Sequence, residues 1–328
     1  MYLSHDKLDD LMHEVLEKLL NEDQVFQASK GSFKELFGCC LHLKNPRARL
    51  SRSEGRGKIF SALGEFFWYL SEDTRLDFID YYVPNRFQVE SDDQVRVRSG
   101  YGDRLFNMRG INQVTSVIEL LKEKSGSRRA VIQLFDASDL EKHYASVPCT
   151  CTLQFMVRDG ALHLFTSMRS NDAYLGLPHD VFSFTMIQEL VARSIGVEMG
   201  EYKHCAGSLH LYTNNFAAAG HYLAEGWHST VPMEPMPEGD PWASIGTLRH
   251  LEEEIRLGRD IDLDKADLGP YWKDLARLLT AYRAIKNEDI QELEAVKSAM
   301  SSPNYKTFIE ARIDKLAGSR AASAEGVG

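Results

Sequence analysis

Val147-Pro148-Cys149-Thr150-Cys151-Thr152-Leu153-Gln154-Phe155 sets a cysteine behind a proline, at the mouth of a run that reads as a strand. The run ends at Arg158-Asp159-Gly160, and a second run of strand character follows. An Asp-Gly pair between two such runs predicts a hairpin with strands over 150–158 and 161–168. Cys149 attacks carbon only as a thiolate, and a nearby guanidinium favours that form. A hairpin that folds back brings Arg169 into the neighbourhood of Cys149. A lone cysteine is also an ordinary buried structural residue.

Downstream come Arg169-Ser170-Asn171-Asp172 and Leu175-Gly176-Leu177-Pro178-His179-Asp180. The apolar spacing predicts a long helix from Asp180 to Ile195, which Asp180 can N-cap. Strands are expected at 201–205 and 207–212, the second carrying His210 and Tyr212. Upstream, Arg128-Arg129 lead into a strand over Ala130–Phe135, and a helix is expected at 113–124. Residues 72–112 look polar and irregular, with Gly100-Tyr101-Gly102 inside. Residues 58–71 (KIFSALGEFFWYLS) are apolar on most faces and predict a buried helix. Glu65 lies inside it, and a buried carboxylate is costly unless paired or functional. Arg47, Arg49, Arg52 and Arg56 read as a loop facing water. Glu35–Leu43 reads as a strand, 22–34 as a loop, and 5–21 as an amphipathic helix.

The chain has 328 residues, 43% hydrophobic and 26% charged, the profile of an ordinary globular protein. Its net charge of -10 argues against a nucleic-acid-coating surface. The five cysteines give neither a secreted disulfide framework nor paired zinc spacing, so no metal is expected. Met1 to Asp10 is polar and no run of about 18 apolar residues occurs, so neither a signal peptide nor a membrane partner is expected, and a reducing cytoplasm is the expected home. From about 236 the texture turns charged and helical, over 246–257, 265–285, 286–300 and 303–316. The expected organisation is a catalytic domain over 1–235, a helical extension over 236–316 and a disordered tail over 317–328.

Six motifs, in order, resemble the thymidylate synthase superfamily over roughly residues 5–215. They are Gly64-Glu65-Phe66-Phe67-Trp68-Tyr69-Leu70 with Asp73-Thr74; Tyr101-Gly102; Ser127-Arg128-Arg129; Pro148-Cys149; Arg169 to Pro178; and the run Gly207 to Tyr212. The resemblance implies an α+β fold, a large mixed sheet covered by helices and paired sheet to sheet in a homodimer. It implies a pyrimidine 5′-monophosphate as substrate and 5,10-methylenetetrahydrofolate as one-carbon co-substrate. By the same resemblance Cys149 adds to C6 of the base, Glu65 manages protons through water, and Tyr101 assists proton removal from C5. Arg169 and Ser170 hold the phosphate, with Arg128 and Arg129 supplied by the partner. His210 and Tyr212 reach the sugar 3′-hydroxyl, while Asp172 and Gly176 serve the folate.

Departures from the family pattern sharpen the expectation. Asp180 stands where thymidylate synthases carry asparagine, and an acid suits the N4 amino group and N3 acceptor of cytosine better than uracil. Here the chain resembles the CMP and dCMP 5-hydroxymethylases. Tyr81-Tyr82-Val83-Pro84 stands where the family has a ring-stacking tryptophan, and charged helices replace a short apolar closing tail. Both imply that water reaches the methylene and yields a hydroxymethyl product. Thr150 replaces a common histidine. The family's first-loop phosphate arginine is missing; Lys30 or Arg47 is the expected substitute. Reductive methylation of dUMP stays open, as does a cysteine hydrolase using Cys149, His210 and Asn214.

Overall fold

The computed structural model describes residues 1–28, 30–53, 57–229 and 231–325, with the backbone alone over 320–325. It divides into two compact units, Met1–Asp240 and Pro241–Gly328. In chain order the first unit comprises β1 (Tyr2–His5), α1 (Leu8–Asn21), β2 (Phe26–Ala28), β3 (Gly31–Leu43), α2 (Ile59–Leu70), α3 (Leu76–Tyr82), α4 (Tyr101–Phe106) and α5 (Gln113–Glu123). There follow β4 (Val131–Gln133), β5 (Thr150–Arg158), β6 (Ala161–Asp172), α6 (Leu177–Ile195), β7 (Glu198–Tyr212) and α7 (Phe216–Ala224).

The fold class is α+β, as the resemblance implies. The seven strands form one sheet in the order β1-β3-β7-β6-β5-β4, with β2 added on β3. The pairings β1/β3 and β6/β7 are parallel and the others antiparallel, so the sheet is mixed. The hairpin forms where expected, with Arg158 opposite Ala161 and Asp159 and Gly160 both at positive φ. Because β6 and β7 are parallel, with Asp172 opposite His210, their C-terminal ends lie side by side. The antiparallel β5 brings its N-terminal end, Thr150, to Met168 at that same edge. Phe33, near the start of β3, pairs with Tyr212. Register alone therefore gathers Cys149, Arg169, Asp172, His210 and Tyr212.

Helix α6 lies on β6 and β7, and α2 packs on α6. Both are buried along most of their length, as expected of helices apolar on nearly every face. Phe66 and Phe182 meet edge to face at 6.4 Å. Gly196, at φ 72, ends α6 in a left-handed cap, and its N–H bonds Ala192 and Arg193.

Several expectations are corrected. Helix α6 begins at Leu177, with Pro178 in its first turn, because proline fits there without losing a bond. Asp180 is thus inside the helix and does not cap it. β3 starts at Gly31, and β7 is one continuous strand where two were expected. The stretch 72–112 holds α3 and α4, both too short to show a periodicity. The arginines from 47 to 52 do not form a water-facing loop. Arg49 is fully buried on Glu189, and Arg47 Nε donates to Glu189 Oε1 at 2.8 Å. Arg56 lies outside the described residues.

The second unit holds α8 (Trp242–Arg256), α9 (Pro270–Lys286), α10 (Ile290–Ala299) and α11 (Lys306–Glu325), each packed on the next. Helix α11 runs over most of the stretch expected to be disordered, consistent with the high helix propensity of its alanines. No helix among the described residues is long and apolar enough to cross a membrane.

Candidate active site

The strand ends open onto a cavity of about 750 Å³. Its wall includes Cys149 from the loop before β5, Arg169, Ser170 and Asp172 from β6, and His210 and Tyr212 from β7. Glu65 enters from α2, Tyr101 from α4, and Gly176 and Asp180 from the start of α6, while Lys30 stands at the β2–β3 turn.

Cys149 is half-buried. Burial pushes its thiol pKa up, and Arg169 pulls it back. Arg169 is clamped to the cysteine loop: Nε donates to Pro148 O at 2.9 Å, Nη2 to Val147 O at 2.8 Å, and Nη2 approaches Cys149 Sγ at 3.7 Å. A guanidinium so held stabilises the thiolate when it forms.

Glu65 accepts from the Tyr69 hydroxyl at 2.7 Å. Burial raises its pKa, against the opposing charge of Arg86. A carboxyl whose pKa is raised by burial is better able to hold or pass on a proton. Tyr101 Oη accepts from Thr150 N at 3.1 Å and Oγ1 at 2.9 Å. Its own proton is therefore free to point elsewhere, and burial keeps it bound. Thr150 is fully buried in this role, which gives the residue in the histidine's place a task.

Asp180 Oδ2 accepts from Asn171 Nδ2 at 2.7 Å. Burial first, and Glu65 second, push the Asp180 pKa up to about 8. Asp172 Oδ1 accepts the N–H groups of Tyr174 and Leu175 at 2.8 and 2.7 Å, a turn that fixes the carboxylate at the cavity wall. At Gly176 a Cβ would stand 3.1 Å from Asn171 Nδ2 and 3.2 Å from Asp172 O, so a side chain here would crowd both.

Ser170 Oγ meets His210 Nδ1 at 3.4 Å, and His210 stands edge-on to Tyr212 at 4.9 Å. Burial lowers the His210 pKa, which favours its neutral form. With Ser170 as its partner and Arg169 against the sulfur, the triad of a cysteine hydrolase finds no support. Lys30 Nζ pairs with Glu90 at 2.7 Å. Arg47 is held by Glu189 and does not line the cavity, which corrects its expected role as a phosphate ligand. Arg128 and Arg129 are exposed and line no part of this cavity.

Among the wall residues the sequence left unassigned, Arg86, Glu90 and Asn171 carry polar contacts that bear on the site. Arg86 and Glu90 come from the irregular stretch after α3, where no motif marked them. Glu65, Glu90, Asp172 and Asp180 together raise the Arg86 pKa against the opposing effect of desolvation. Tyr82, from the segment expected in the tryptophan's place, is buried against α2 instead; that wall carries Arg86, Phe87 and Val89. Asn171 sat within a quoted motif, but only its contact with Asp180 reveals a task. A family model described as Thymidylate synthase matches residues 55–234.

Proposed function

The chain belongs to the thymidylate synthase family, and from that premise we propose that it hydroxymethylates C5 of a cytosine nucleotide 5′-monophosphate, CMP or dCMP. The family's reaction is methylene transfer to a pyrimidine nucleotide, with 5,10-methylenetetrahydrofolate as the donor. That donor supplies a one-carbon unit at the oxidation level of formaldehyde.

The Cys149 thiolate adds to C6 and makes C5 a carbon nucleophile. C5 bonds to the methylene and gives up its proton, which Tyr101 and water lead away. The electron pair left on C5 forms a C5–methylene double bond as the methylene's bond to the folate nitrogen breaks, and tetrahydrofolate leaves with the nitrogen's electrons. Water then adds to the methylene. The electron pair restores the C5–C6 double bond and expels the Cys149 sulfur, and the water's proton passes to Glu65. Arg169 and Ser170 hold the phosphate, with Arg128 and Arg129 of the other protomer and Lys30 completing the cradle. His210 and Tyr212 orient the sugar, and Asp172 and Gly176 receive the folate. Exposed Arg128 and Arg129, away from their own cavity, support service to a partner in a homodimer.

One observation supports the choice of base: a buried carboxyl with a pKa of about 8, held at Oδ2 by Asn171 Nδ2 at 2.7 Å, in the same cavity as Cys149. At neutral pH Asp180 holds a proton, so it offers one donor and one acceptor. Cytosine presents an N3 acceptor beside its N4 amino donor. Water capture is supported by Arg86 and Glu90, which bring charge into the cavity wall beside Phe87.

The test is incubation with CMP or dCMP and 5,10-methylenetetrahydrofolate. A nucleotide heavier by CH2O, with tetrahydrofolate left and no near-ultraviolet rise from dihydrofolate, is expected. Methylation of dUMP with that rise would overturn the proposal.

A further inference from the structure

Behind Asp180 lies a chain of buried polar groups that touches no cavity wall beyond Asn171. Tyr202 Oη meets His204 Nδ1 at 2.8 Å, His204 Nε2 meets Asn171 Oδ1 at 2.9 Å, and Asn171 Nδ2 donates to Asp180 Oδ2 at 2.7 Å. Tyr202, His204 and Asn171 are all buried. Thr166 on β6 pairs with His204 on β7, and Asn171 pairs with Leu209 five residues further along both strands. The His204 and Asp180 side chains converge on Asn171 from the β7 strand and the first turn of α6.

Each link has one direction. Burial drives the His204 pKa down to about 3, so its ring is neutral and carries a single N–H. Asn171 Oδ1 can only accept, which places that hydrogen on Nε2. His204 Nδ1 is then an acceptor, filled by the Tyr202 hydroxyl, whose proton burial holds in place. Asn171 in turn can only donate to Asp180, so Oδ2 is the accepting oxygen and the acid's proton belongs on Oδ1.

We propose that Asn171, oriented by His204 and Tyr202, is the positioning residue that fixes which oxygen of Asp180 carries the proton, and so selects cytosine over uracil. A carboxylic acid by itself does not discriminate. It has one donor and one acceptor, and it can offer them in the order that fits N3 and N4 of cytosine or in the reverse order that fits N3–H and O4 of uracil. The base cannot turn over to compensate, because its C6 is held to Cys149. Fixing the proton on one oxygen leaves a single order. The wrong base then faces a donor against a donor in a buried site.

This inference rests on the proposed cytosine specificity, and the experiment separates the two. The ratio of kcat/KM for CMP over UMP, and for dCMP over dUMP, is measured for the wild-type protein and for Asn171→Asp, Asn171→Leu and Asn171→Ser. Asn171→Asp puts an acceptor against Oδ2 and draws the proton there; the ratio should fall on the order of 10- to 100-fold. Asn171→Leu removes the donor without reversing it, and the ratio should fall less. Asn171→Ser keeps a hydroxyl able to donate and should retain most of the preference.

The pH profile gives a second readout. Asp180 faces Glu65 of α2, Arg86, Asp172 and Asn171 of β6, Tyr69, Tyr101 and Cys149. Of these, the Asn171 bond is one that holds its pKa down. Its loss in Asn171→Leu should move the alkaline limb for cytosine nucleotides upward. A merely structural residue would change both ratios and limbs only with the melting temperature. A wild-type protein with no cytosine preference would defeat the proposed function. A wild-type preference that survives Asn171→Asp and Asn171→Leu unchanged would defeat this inference alone.

Discussion

At the scale of single residues, Asp180 sets function against stability. Its folded pKa of about 8 lies well above the 3.8 ordinary for an aspartate. A group whose pKa is raised on folding contributes stability below its unfolded pKa, and that contribution is lost as pH rises through the folded value. The protein should therefore weaken between about pH 4 and pH 8 on this residue's account. Asp180→Asn removes the titration. Its melting temperature should exceed the wild-type value by a margin that widens from pH 5 to pH 8, while its base preference moves toward the uracil nucleotide. Thermal melts across pH and paired kinetics with CMP and UMP check both halves. An equal melting difference at every pH, or an unmoved base preference, would contradict this account of Asp180.

At the scale of elements, two contacts hold the site's scaffold. Gly64 precedes the glutamate on α2, and a Cβ there would fall 2.1 Å from Tyr82 Cγ. Tyr82 is buried and its ring has nowhere to retreat. Gly64→Ala should destabilise by about 1–3 kcal/mol or more and reduce activity by shifting Glu65; chemical denaturation with parallel assays measures both. On α6, Glu189 is fully buried between Arg47 and Arg49. Desolvation works to raise its pKa, but Arg49 and Arg47 outweigh it and the pKa is lowered. This contribution is present above the unfolded pKa and fades as pH falls through the folded one. Glu189→Gln leaves buried Arg49 without its carboxylate and Arg47 with only Glu198 at 4.0 Å, and should cost about 3–5 kcal/mol at pH 7, with a smaller difference from wild type in acid. Urea denaturation at two pH values resolves it. Motif and scaffold differ in legibility here: Gly64 and Glu65 were visible as a run, whereas Arg47 and Arg49 looked like a solvated loop because their partner lies about 140 residues away.

At the scale of the whole molecule, the sheet has a face its own helices do not cover. Val131, Gln154, Phe165 and Lys203 stand in one cross-strand row there, exposed or half-buried. The homodimer proposed above pairs two copies through this face, with Arg128 and Arg129, just before β4, serving the neighbour's cavity. Such an isologous pair predicts complementation. Cys149→Ala and the double variant Arg128→Ala/Arg129→Ala should each be inactive as homodimers. Unfolded and refolded together, they should recover about a quarter of wild-type sites, since half the dimers are mixed and each holds one intact site. No recovery, with mixed dimers demonstrated by tag capture, would place the arginines elsewhere.

The sequence by itself determined the chemistry on offer. The cysteine, glutamate, tyrosine, arginine and aspartate of the cavity were all legible, because motif residues are short-range patterns and strand alternation and helix period are local. The hairpin, the buried helix α2 and the α+β class followed from the same local rules and from the family resemblance. Only the tertiary structure decided who stands beside whom. It turned Thr150 inward to Tyr101, drew Arg47 and Arg49 away to Glu189, raised Arg86 into the cavity wall and aimed Asn171 at Asp180. These contacts depend on register and on burial, which fix distances and proton positions among residues far apart in the chain, and no local pattern encodes either.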